Sequence, residues 1–154
     1  MNKIFDPQLM AERIESLKAG ILAGFCLIIA FFLTTLVNNL VLATNFEQLT
    51  SLATDLLSLQ SLVSAGIVCL CGLLFGVTYR YIIRTDKNPQ LKAGGVLAFG
   101  LVRGLTQVEV GLSDSRGVLP FVVLGVESIL CFGLAAFFLD TAMQLGWIKP
   151  FQGI

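Results

Sequence analysis

Arg103, Gln107, Glu109 and Glu127 carry hydrogen-bonding or charged groups inside stretches otherwise made of apolar residues. Side chains of this kind at such positions can hold one another as a buried pair, bind a charged head group or line a polar path. A charge in hydrocarbon costs roughly 2.5–3.5 kcal/mol on insertion scales, so each must turn inward and find a partner. Arg103 and Gln107 stand one helical turn apart and share a face, whereas Glu109 points about 120° away from Arg103. Asp140, Arg80 and Lys92 form a second charged group, placed nearer the ends of their apolar stretches.

Little else in the chain can do chemistry. There is no histidine, which removes the commonest general base and the commonest haem and metal ligand. The four cysteines, Cys26, Cys69, Cys71 and Cys131, lie in apolar runs without zinc-ligand spacing and read as small hydrophobes. Ser113, Asp114 and Ser115 belong to a loop, and no nucleophile elbow, phosphate-binding glycine loop or metal cluster occurs. Lysine plus arginine equals aspartate plus glutamate at 10 each, so nothing draws the chain to nucleic acid. The expectation is a protein without enzymatic activity, metal or cofactor. Histidine-ligated chlorophyll is excluded; a pigment, quinone or lipid held by apolar contacts is compatible.

The elements that position these groups follow from composition. Of 154 residues, 56% are hydrophobic and 13% charged, about half the charged share of a soluble domain. Mean hydropathy is +0.87. A span needs about 20 apolar residues to cross a ~30 Å hydrocarbon core. The expected fold is all-α, a polytopic integral membrane protein with four transmembrane helices at about 19–41, 61–83, 93–112 and 120–145. An amphipathic helix over 1–18, starting at Asp6-Pro7, precedes them, either lying in the interface plane or continuous with the first span. An apolar stripe from Phe46 to Leu57 predicts a surface helix before the second span. Trp147 and Lys149 read as interface anchors.

Lysines and arginines set the orientation. Lys3, Arg13 and Lys18 lie before the first span; Arg80, Arg84, Lys87 and Lys92 surround the middle loop; Lys149 lies in the tail. The two opposite loops share only Arg116, so both termini are expected in the cytoplasm.

Glycines supply the packing faces. Gly20 with Gly24, Gly72 with Gly76, and Gly100 with Gly104 are small-xxx-small pairs that let helix backbones approach closely. Leu17-Lys-Ala-Gly20 matches Leu91-Lys-Ala-Gly94, and Val68–Leu73 is loosely like Ile129–Leu134, the pattern that a parallel repeat of two hairpins would leave. Arg103 lies roughly 13 Å along the helix from the outer end of the third span and Glu127 roughly 11 Å into the fourth. Equal depth on antiparallel neighbours makes Glu127 the expected partner of Arg103, with Gln107 adding a hydrogen bond. Glu109 is expected to meet Arg116, and Asp140 to meet Lys92 or Arg80.

Gly72-x-x-x-Gly76-x-x-x-Arg80-Tyr81 is similar to the first helix of the small four-span fluoride channels of bacteria, although here it falls on the second span. Those channels' phenylalanine-box and threonine-serine signatures have no counterpart. The stretch Leu101-Val-Arg-Gly-Leu-Thr-Gln-Val-Glu109 resembles small four-span membrane proteins of cyanobacteria and plastids. That resemblance implies a thylakoid or plasma membrane of a photosynthetic organism.

A single pair of opposite charges, without a ladder of acids, argues against a proton relay. The leading expectation is therefore a non-enzymatic accessory, assembly or structural protein that packs in the bilayer against itself or a larger complex. The alternative is a small homo-oligomeric transporter or channel with a polar path around Arg103, Gln107 and Glu127.

Overall fold

The computed structural model describes residues 7–83, 88–112 and 118–151. All regular structure among them is helical. Helix α1 (Pro7–Val37) continues through a π-helical turn (Asn38–Leu42) and one α turn (Ala43–Asn45). A 3-10 turn (Glu47–Leu52) follows, then α2 (Leu59–Ile83), α3 (Pro89–Leu112) and α4 (Leu119–Gln144).

The amphipathic N-terminal stretch is continuous with the first span, forming the first turns of α1. Nothing between Leu9 and Ala19 breaks a helix, and Lys18 pairs with Glu15 at 2.7 Å across i,i+3, which supports continuation. The expected surface helix before the second span is replaced by the short 3-10 turn and irregular chain. There, side chains bind backbone groups in place of helical bonds. Asn39 donates to the Thr54 carbonyl at 2.8 Å and accepts from the Thr54 N–H at 2.9 Å. The Ser61 N–H donates to Ser58 Oγ at 3.2 Å, an N-cap that starts α2.

Close backbone approach joins the helices in two antiparallel hairpins. A β-carbon on Gly72 would sit 2.6 Å from Gly24 Cα, and one on Gly76 would collide with the Ala19 carbonyl, so α1 and α2 meet where only glycine fits. In the other hairpin, a β-carbon on Gly100 would lie 2.8 Å from Ile129 Cα and one on Gly104 2.9 Å from Gly125 Cα. Gly20 packs against the Leu73 carbonyl and Gly24 against that of Cys69. Gly125, not singled out by spacing alone, completes the α3–α4 crossing.

The repeat expected from Leu-Lys-Ala-Gly does not carry into packing. Gly20 is buried against α2, while a β-carbon on Gly94 would meet nothing within 4 Å.

The core is Ala19, Ala23 and Leu27 of α1, Phe75 and Tyr79 of α2, and Phe132, Ala135 and Leu139 of α4. Phe75 sits at its centre, with ring centroids 5.1 Å from Phe132 and 5.3 Å from Phe99. α1, α2 and α4 are long and apolar enough to cross a membrane, yet only 28–33% of the most apolar window of each is buried in the bundle. Leu33, Leu70, Leu74, Leu130 and Phe137 all point outward. A water-soluble surface rarely exposes apolar area on that scale, and lipid chains cover it without cost. Among the described residues α3, which carries Arg103, Gln107 and Glu109, is not one of the helices that meet this measure.

Candidate functional site

Two polar clusters occupy opposite ends of the bundle. At the end holding both described chain ends, Arg80 is almost fully buried. It follows Gly72 and Gly76 at four-residue intervals, so the face that brings α1 close also carries Arg80 to the start of α1. Its guanidinium pairs with the Glu12 carboxylate and donates to Ser16 Oγ at 2.7 Å and the Glu12 carbonyl at 3.1 Å. Its Nε donates to the Lys149 carbonyl at 2.7 Å.

The tail reaches Arg80 because Gly146, at φ 75°, ends α4 in a left-handed turn. The Trp147 N–H then bonds the Ala142 carbonyl at 2.9 Å, and Ile148 is buried beyond the turn. The Lys149 N–H donates to Glu15 at 2.9 Å, tying tail to α1 a second time. Trp147 itself stays exposed.

Lys92 forms an ion pair with Asp140 at 2.6 Å, and Tyr79 Oη donates to the same carboxylate at 3.3 Å. Of the two cations expected near Asp140, Lys92 is the one that binds it. Arg80 goes to Glu12 instead, a partner that counting charges per loop does not reveal. The helical phase shared with Gly72 and Gly76 was the available signal.

The second cluster lies toward the opposite end. Arg103, Gln107 and Glu127 do come together, lining a cavity of about 60 Å³ with Asn38, Thr35 and Ser128. The expected Arg103–Glu127 ion pair is not formed. Glu127 accepts from Asn38 Nδ2 at 3.2 Å, and Gln107 accepts from Ser128 Oγ at 2.9 Å rather than supporting Arg103. Arg103 and Glu127 lie at similar depth, as expected, but Asn38, which continues the buried face of Leu27, Ala30 and Thr35, takes the Glu127 carboxylate in place of Arg103.

Among the described residues Arg103 has no hydrogen-bond or ion-pair partner. Asn38 is 4% exposed, and its Oδ1 is buried without a donor. Glu109 is exposed, and its expected contact with Arg116 lies outside the described residues, as do Arg84, Lys87 and Asp114.

Beside this cavity, sharing Arg103, Gln107 and Asn38, runs a groove of about 780 Å³ between α2 and α3. The two helices belong to different hairpins and touch little along it. Gln60, Ser61 and Ser64 of α2 and Thr106 and Gln107 of α3 line one end; Ile67, Leu74 and Phe99 line the other. Arg103 is the sole formally charged residue on its walls among those described.

These features define an all-helical bundle whose apolar helices are compatible with an integral membrane protein, with a lateral groove lined by Arg103, an arginine without an ion-pair partner among the described residues. Comparison of the chain with protein-family models, curated proteins and solved structures finds no match.

Proposed function

We propose that the chain is a four-span integral membrane protein, with α3 crossing alongside the other three helices and both termini in the cytoplasm. It acts without catalysis, as an accessory, assembly or structural component that binds other constituents of the membrane. The observation that carries this reading is Arg103. Arg80 and Lys92 are paired within the bundle, but Arg103, midway along α3 beside a lateral groove, shares a cavity with Glu127 without forming an ion pair with it. A cation left so is half of an intramembrane contact whose other half comes from outside the chain. The absence of histidine and of catalytic motifs in the sequence supports a non-enzymatic role.

Orientation is supported by Arg13, Lys18, Arg80, Lys92 and Lys149, which all gather at the end that holds both described chain ends. A cysteine introduced at Thr50 should then label from outside the cell and one at Phe151 only from the cytoplasm.

The alternative, a homo-oligomeric transporter, draws on the polar cavity of Arg103, Gln107 and Glu127. An Arg103→Ala variant separates the two. The accessory reading expects loss of association with membrane partners and no change in solute flux. Lost flux with assembly intact would favour transport.

A further inference from the structure

We propose that the groove between α2 and α3 binds one anionic phospholipid, with its phosphate at Arg103 and an acyl chain along Ile67, Leu74 and Phe99. This rests on reading the chain as a membrane-spanning bundle that binds other membrane constituents. The groove volume, about 780 Å³, lies in the range of sites that hold drug-sized ligands. Its lining is divided as an amphiphile is divided. Polar side chains, among them Gln60 and Ser64 of α2, Thr106 and Gln107 of α3 and Asn38 beyond α1, lead from the helix ends to Arg103, and the lining past it, at Ile67, Leu74, Ala98 and Phe99, is apolar.

Charge complementarity selects the head group. Arg103 is the one formal charge among the described lining residues of the groove, and Glu127 in the adjoining cavity is held by Asn38 and does not pair with it. A phosphodiester with no amine gives the guanidinium a direct partner, whereas a zwitterionic head would add a cation beside it. Basic pockets between membrane helices recognise anionic head groups by this means. The depth of Arg103, roughly 13 Å along α3 from its end, is bridged by the polar walls and by the reach of the arginine side chain.

A second observation is independent of Arg103. Asn38 Oδ1, buried and unpaired, also lines the groove and requires a donor. A glycerol head group offers hydroxyl donors as well as the phosphate.

The test is native mass spectrometry of the full chain released from nanodiscs containing equal amounts of phosphatidylglycerol and phosphatidylcholine. One retained phosphatidylglycerol per chain is expected, with a preference of about tenfold over phosphatidylcholine. Arg103→Gln should abolish the preference, and Lys149→Gln, outside the groove, should leave it intact. If Arg103→Gln does not fold, Ala98→Trp, which fills the groove from α3 and keeps Arg103, should lose the bound lipid. Equal retention of both lipids, an unchanged preference in Arg103→Gln, or exclusion of lipid by a second copy of the chain would overturn the proposal. So would a preference for free fatty acid added to the same discs. Migration of the same preparation on a native gel reads the broader function separately: a partner complex that persists without lipid preference would leave the accessory reading standing and this inference refuted.

Discussion

Arg80 Nε donates to the Lys149 carbonyl at 2.7 Å, and through that bond the last turn of α2 holds the segment that follows α4. The same guanidinium grips Glu12 and Ser16 at the start of α1. Three parts of the chain far apart in sequence therefore close on one side chain. Its planar fork of donors serves several acceptors at once, which an ammonium cannot reproduce.

Replacing Arg80 should consequently do more than remove a charge. Arg80→Ala leaves the Glu12 carboxylate without its cation and frees the tail, at a cost of about 2–4 kcal/mol. Arg80→Lys should recover less than half of it. Reversible unfolding in mixed micelles measures both. A loss under about 0.5 kcal/mol for Arg80→Ala would show that the contacts do not hold the tail.

The α1–α2 crossing predicts a sharp contrast between glycines. Gly76→Ala places a methyl against the Ala19 carbonyl and should destabilise the bundle by about 1–3 kcal/mol. Gly133→Ala, where a β-carbon meets nothing within 4 Å, should be neutral or stabilising by up to about 1 kcal/mol. Similar losses at both positions would contradict the crossing geometry.

Asn38 and Glu127 should prove coupled. Asn38→Leu removes the one described hydrogen-bond donor to the Glu127 carboxylate and should cost about 1–3 kcal/mol. Glu127→Gln, in which the amide oxygen still accepts from Asn38, should cost less, and adding Asn38→Leu to it should cost less than Asn38→Leu alone. Strict additivity in this double-mutant cycle would mean that the two side chains do not meet.

The extent to which these contacts are legible in the sequence differs by kind. Gly20, Gly24, Gly72, Gly76, Gly100 and Gly104 all fall at helix crossings, because a three-residue interval between small residues reports directly on which face can approach a neighbour. The bounds of α2 and α4 are close to the apolar stretches that announce them. The depth of Arg103 and Glu127 was equally legible, since rise per residue is nearly constant. What stayed hidden depends on rotation and on distant partners. The π turn at Asn38–Leu42 has no breaker residue to mark it, and spacing within one helix does not show that Asn38, on the buried face of α1, reaches Glu127 of α4. The leucines of the loop before α2 recur at helical spacing and so imitate a helix. Only the pairing of Asn39 with Thr54, sixteen positions inclusive, shows why the chain leaves the helix there.

The proposal that the chain is a component that binds other constituents within the membrane through Arg103 is tested most directly by the size of the native particle. The tagged chain, gently extracted from its own membrane, should migrate well above its own mass of 16.6 kDa, with reproducible membrane partners that are lost in Arg103→Ala. A discrete homo-oligomer without partners, whose reconstituted vesicles show solute flux dependent on Arg103, would contradict the account and establish a transporter.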